Sequence, residues 1–252
     1  MQDAMSEYEK ILKEANEQQD ILGLILVGSR GKGFENEHSD YDMVMIVKDE
    51  ALDALKNRAQ HDEQVDLSVY SISDFKKYAG WESPEQWDRY NYARTKILVD
   101  KIGELPKLVE EKGRIPSDKL AEFIDWWIDG YVNGVFRSVK CIRNGNRFGA
   151  HLEAVNSILD LLTLVFAMDG RHRPFLGYVQ KELELYPLQH LPWPATEFVE
   201  KISRVLTDAD LTTQQELLIG IEKMSRETGH GHIFDAWEGK DKWTMTFTPV
   251  GR

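Results

Sequence analysis

Apolar side chains follow two rhythms along this chain, and the rhythm changes part-way. Positions 22–27 and 43–47 are uninterrupted apolar runs, short enough to be strands buried on both faces. Positions 65–70 alternate apolar and polar and predict a third strand, and 97–99 a short fourth. Around them, apolar residues recur every three or four positions. Tyr8, Ile11, Leu12 and Ala15 predict a helix over 6–17, and Ala51, Leu55 and Ala59 predict another over 50–60. Ser73 and Ser83 read as helix N-caps, the latter with Pro84 at the first helical position.

Beyond Gly113 the strand signal stops and the helical one takes over. Leu120, Phe123, Ile124, Trp127, Tyr131, Val135, Val139 and Ile142 step by three and four along one long helix, which Asn144-Gly145-Asn146 breaks. Further helices are expected over 151–168, 175–186, 196–206 and 211–227, with a proline-rich stretch at 187–194 and a candidate strand at 244–248. The expected fold class is α+β. A small mixed-sheet domain over 1–114 precedes an all-α helical bundle over 115–252.

The junction of the first two strands carries the chemistry. The 22–27 run stops at Gly28-Ser29-Arg30-Gly31-Lys32-Gly33, and the 43–47 run follows Asp40-Tyr41-Asp42. Asp40 and Asp42 differ by two positions, so an extended backbone points both carboxylates to one face. Such carboxylates suit Mg²⁺, while the glycine-flanked Ser29 and its backbone N–H groups suit phosphate. Gly28 lets the chain approach closely, and Arg30 and Lys32 would add positive charge near a triphosphate. The spacing fits neither a Walker A loop nor a dinucleotide fingerprint. Asp66 sits on the third strand, where an unpaired carboxylate facing a core would be costly.

These residues, Gly28-Ser29, Asp40-Tyr41-Asp42 and Val65-Asp66-Leu67 in that order on three strand-like runs, resemble the DNA polymerase β-like nucleotidyltransferases. The resemblance is to their small bacterial branch, which includes the aminoglycoside and lincosamide nucleotidyltransferases. It implies an enzyme that transfers a nucleoside monophosphate, AMP from ATP or the equivalent from another nucleoside triphosphate, to a hydroxyl of a small molecule. Two Mg²⁺ ions would be held by Asp40, Asp42 and Asp66, with Asp66 as third ligand or as general base. The resemblance also implies a basic residue of the long helix over the phosphates, for which Lys140 is the candidate and Arg143 the reserve. A solvated helix end is the other reading of that pair.

Charge narrows the acceptor. With 43 acidic against 31 basic residues the formal charge is −12, which disfavours a nucleic-acid partner and suits a cationic small molecule such as an aminoglycoside-like antibiotic. Glu122, Asp125 and Asp129 form one stripe of the long helix, ready to receive amines or simply its wet face. The single Cys141 excludes an internal disulfide and agrees with a cytoplasmic protein. No run reads as a membrane span or signal peptide. Two other functions fit the same motif: modification of a protein target, as in toxin–antitoxin pairs, and nucleotide sensing without catalysis. His230 and His232 are spaced as a metal pair but read as a loop pair for want of a third ligand.

Overall fold

A computed structural model describes residues 2–237, 239 and 242–249. The chain forms two compact units, one ending at Pro116 and the other starting at Ser117.

The first unit is built on a five-stranded mixed sheet of order β3-β4-β2-β1-β5, formed by β1 (Ile21–Leu26), β2 (Tyr41–Val47), β3 (Gln60–His61), β4 (Val65–Ser71) and β5 (Lys96–Asp100). β2 and β4 are parallel, and the other pairs are antiparallel. Alternate residues serve two cores. Tyr41, Met43, Met45, Val65 and Leu67 pack under Ile11 and Ala15 of helix α1 (Gln2–Glu17). Val44 and Ile46 face the other way, with Ile25 and Val27 of the β1 side, onto Phe75, Tyr92, Leu105 and Val109. These come from helix α4 (Ile72–Lys77), a 3₁₀ segment (Gln86–Tyr92) and helix α5 (Leu105–Gly113). The residues on each face thus follow from strand period two. A five-residue helical turn, α2 (Gly28–Lys32), joins β1 to the loop before β2.

Several local expectations change. The helix expected over 50–60 breaks into a 3₁₀ turn (Asp49–Ala51), α3 (Leu52–Leu55) and another 3₁₀ turn (Lys56–Arg58). Gln60 and His61 are drawn into pairing with Leu67 and Asp66, so ladder bonds override the helical spacing. The N-cap of α4 is Ser71, whose hydroxyl accepts from Asp74 N at 3.1 Å, and not Ser73. Ser73 instead donates its hydroxyl to Asp49 at 2.7 Å. Ser83 caps no helix, because the segment that follows is the 3₁₀ run from Gln86, whose N-cap position is Glu85. Helix α5 carried no sequence expectation.

The second unit is helical: α6 (Leu120–Arg143), α7 (Arg147–Ala167), α8 (Val179–Leu185), α9 (Ala195–Asp208), α10 (Leu211–Glu227) and α11 (Gly231–Ala236). Helices α6 and α7 form its spine, burying Ile128, Tyr131, Val135 and Val139 with Ala154, Ile158, Leu161 and Val165. Helix α7 starts four residues before the expected 151 because Asn146 caps it, accepting from Gly149 N at 2.9 Å. By length and hydropathy alone α7 would cross a membrane, but most of its apolar stretch is buried inside the unit, as in a core helix. Residues 244–248 form no strand. A 3₁₀ turn (Lys242–Met245) occupies the start of that stretch.

Candidate functional site

Strand directions assemble the motif residues. β1 ends where the parallel β2 and β4 begin, so one edge of the sheet carries Gly28 and Ser29, then Asp40 and Asp42, then Asp66. Asp42 stands directly opposite Asp66 in the β2–β4 register, on neighbouring strands about 4.8 Å apart. Both side chains alternate away from the core face that holds Tyr41, Met43, Val65 and Leu67. Val27 N donates to Asp42 O at 2.9 Å and ties the serine turn to the same edge.

Gly28 is dictated twice over. Its φ is +58°, a region costly for other residues, and a Cβ would stand 1.8 Å from Asp42 Oδ2. The Asp42 carboxylate therefore lies directly against the turn. Burial, and then the charges of Asp40 and Asp66, push its pKa from 3.8 up to about 6, with Lys32 pulling the other way. The charge crowded around Asp42 is repulsion that a bound cation would relieve. Asp66 is 47% exposed, so one side of the pair remains open to a ligand.

A residue the sequence did not single out completes the edge. His61 of β3 pairs with Asp66 of β4, and His61 Nδ1 lies 2.7 Å from Asp66 Oδ1. One sequence cue was available. The polar triplet Asp62-Glu63-Gln64 before the third strand is a turn, which folds His61 back beside Asp66.

The two cations of the serine turn are engaged elsewhere. Lys32 is only 4% exposed, and its ammonium donates to the carbonyls of Tyr90 (3.1 Å), Asn91 (2.9 Å) and Ala93 (2.6 Å) while lying over the Tyr90 ring. Three carbonyls match the three donors of a lysine, so the phosphate contact expected of Lys32 gives way to a structural tie. Arg30 donates Nε and Nη2 to the carbonyls of Ser39 and Asp40 and lies 4.2 Å over the Tyr41 ring. Ser29 is buried at the start of α2, where its carbonyl accepts from Phe34 N at 2.8 Å.

Lys140 and Arg143 lie in the last turn of α6, in the second unit. Lys140 sits 5.9 Å over Phe136, and Arg143 stacks on Trp243 at 4.4 Å. In the acidic stripe of α6, Asp125 binds His230 Nδ1 at 2.7 Å and His232 Nε2 at 3.3 Å. Asp129 accepts from Trp237 Nε1 at 2.8 Å. Two of the three carboxylates expected to receive substrate amines, Asp125 and Asp129, thus clasp the segment around α11, and Glu122 stays exposed. His230 and His232 thus pair with a carboxylate, His230 with one 105 positions away in the sequence, and among the described residues the three form no metal-binding group.

Among the described residues, no group of three His, Cys, Asp or Glu side chains is arranged to enclose a metal ion. The three-carboxylate ligand set expected of Asp40, Asp42 and Asp66 is thus not assembled as a closed cage; Mg²⁺ is usually held by one or two carboxylates, waters and the phosphates of the substrate. Asp42 and Asp66, paired in register with Asp40 adjacent, fit such an open site.

Residues 5–87, which contain Gly28, Ser29, Asp40, Asp42 and Asp66, match the family model described as nucleotidyltransferase domain. The class of chemistry this region defines is nucleotidyl transfer. Among solved structures the chain is similar to a nucleotidyltransferase-like protein from Exiguobacterium sibiricum 255-15, at 14% identity and a TM-score of 0.44 over 90% of this chain and 76% of that one. No curated protein matches the chain.

Proposed function

We propose that the protein transfers a nucleoside monophosphate, AMP from ATP, to a hydroxyl of a small, cationic acceptor of the aminoglycoside type. The observation that carries this reading is the in-register pair Asp42 and Asp66 beside the Gly28 turn, with the Asp42 carboxyl raised by burial and then by its charged neighbours. Asp40, Asp42 and Asp66 would hold Mg²⁺, which when bound neutralises charge on the triphosphate and on the entering and leaving oxygens.

The protein's own groups supply the rest. Ser29 and the backbone N–H groups that open α2 lack helical acceptors and receive phosphate oxygens. The acceptor hydroxyl attacks the α-phosphorus, its proton passes to Asp66, and the bond to pyrophosphate breaks. His61 Nδ1 lies 2.7 Å from Asp66 Oδ1 and would leave the other oxygen for the incoming hydroxyl. The acidic surface raises the local concentration of a cationic acceptor. The reading places the protein in the cytoplasm, where ATP and Mg²⁺ are plentiful.

Incubation with α-labelled ATP, Mg²⁺ and a panel of hydroxyl-bearing cationic antibiotics tests the reading. Label should appear in an acceptor and be lost with Asp42→Asn and Asp66→Asn. Nucleotide binding without transfer to any compound of the panel would remove the drug-modifying function.

A further inference from the structure

Asp42 and Asp40 are fixed by different means. Asp42 lies inside the ladder, where its carbonyl accepts from Val27 N and its register with Asp66 is set by β2 and β4. Asp40 precedes β2, which begins at Tyr41, and follows the loop that runs from Gly33. Within that loop three bonds are local: Ser39 N to Asn36 O at 3.2 Å, Asn36 N to Ser39 Oγ at 2.9 Å and His38 N to Asn36 Oδ1 at 2.8 Å. Such bonds shape the loop, and Tyr41 N, which donates to Gln64 O at 2.9 Å, ties the far side of the Asp40 peptide beside β4, while the Ser39 and Asp40 carbonyls are left to another donor.

Arg30 supplies the tie on that carbonyl side. Nε donates to Asp40 O at 2.9 Å and to Ser39 O at 3.2 Å, and Nη2 donates to Ser39 O at 2.7 Å. The guanidinium plane is set by the Tyr41 ring beneath it, which stacks on Tyr8 of α1 with 4.6 Å between centroids. At its other end the Arg30 carbonyl accepts from Lys96 Nζ of β5 at 2.9 Å, so the arginine is itself tied to the sheet. A planar fork spanning two successive carbonyls fixes the direction of the peptide between them, which a single ammonium cannot do.

We propose that Arg30 is a positioning residue for the cation site, one that orients Asp40 toward Asp42 rather than contacting the triphosphate. The inference rests on the reading of Asp40 and Asp42 as cation ligands. Partners that orient ligating carboxylates typically govern metal affinity by about 10- to 100-fold. A phosphate contact and a positioning role differ in one respect: only the second acts on the cation when no nucleotide is present.

The test uses the full chain and Mn²⁺ as probe, titrated by electron paramagnetic resonance without nucleotide, and ATP titrated separately in EDTA. Thermal unfolding confirms that each variant is folded. Arg30→Lys and Arg30→Met should both weaken Mn²⁺ binding about 10-fold, with ATP binding in EDTA unchanged. If Arg30→Met fails to fold, Arg30→Lys carries the test, because lysine keeps the charge and loses the fork. Tyr41→Leu, which removes the ring under the guanidinium, should give the same change in milder form. Unchanged Mn²⁺ affinity in the Arg30 variants overturns the inference. So does ATP binding in EDTA that falls with Arg30→Met and survives Arg30→Lys, the pattern of a phosphate contact. Wild-type Mn²⁺ binding that is indifferent to Asp40→Asn and Asp42→Asn would instead refute the cation site itself, and the inference would fall with it.

Discussion

Replacing Asp42 by Asn should stabilise the ligand-free protein while abolishing transfer. The carboxyl sits against Gly28, faces Asp66 across the β2–β4 ladder and feels the charge of Asp40, so its folded-state pKa is raised from 3.8 to about 6. A raised carboxyl pKa means that the folded state holds the proton more tightly than the unfolded chain does. Stability is therefore lost as pH climbs from about 4 through about 6, and the full cost is present above that window. The displacement corresponds to about 3 kcal/mol at most, and water reaching this partly exposed carboxylate trims it to about 1–2 kcal/mol. At about 2–4 °C for each kcal/mol in a chain of this size, Asp42→Asn should melt about 2–8 °C higher at pH 8. The gain should shrink toward zero at pH 4, where the wild-type carboxyl is protonated. Differential scanning calorimetry across pH 4–8 reads this directly, and adding Mg²⁺ and ATP should raise the wild-type Tm while leaving the variant's unchanged. An Asn variant that melts lower at pH 8, or whose gain does not fade on acidification, would refute the crowding of charge on this edge.

Other substitutions probe the ties around the site. Gly28→Ala combines a left-handed backbone, costing about 1–2 kcal/mol, with a clash on Asp42 Oδ2, costing about 1–3 kcal/mol. A lower denaturation midpoint checks this, and Asp42→Gly in the same chain should recover only the clash. Lys32→Met leaves three carbonyls without their donor at a site that is 4% exposed and should cost about 3 kcal/mol or more in urea unfolding. A phosphate-binding lysine would instead lose nucleotide affinity with little change in stability. Asp125→Asn weakens the contacts to His230 and His232 and should destabilise the chain by about 1 kcal/mol while leaving the acceptor KM unchanged. A raised KM at unchanged Tm would return that carboxylate to substrate binding.

What could be read from the sequence is what depends on neighbours along the chain. The apolar runs before Gly28 and after Asp42 mark β1 and β2, and the i, i+3, i+4 steps from Leu120 to Ile142 mark α6. Strand period two leads one to expect Asp40 and Asp42 on one face, although β2 begins only at Tyr41, and the order of Gly-Ser, Asp-x-Asp and a third strand Asp anticipates a nucleotidyl-transfer region. Element edges were less legible. A polar pair such as Gln60-His61 becomes a strand only because β4 is there to bond with it, and Asn146 starts α7 through a side-chain cap that apolar spacing does not register.

Where each charge goes was decided by the tertiary structure alone. Arg30 and Lys32 look alike as cations on a glycine-rich turn, yet both meet backbone carbonyls, one pair from the loop before β2 and one set 58 to 61 positions away. His61 reaches Asp66 through a hairpin, and His230 finds Asp125 across more than a hundred residues. Hydrophobic burial is non-directional and leaves its period in the sequence. A hydrogen bond or an ion pair acts over a few ångströms between groups of fixed orientation, so its partner is set by the folded path of the chain and not by the residues beside it.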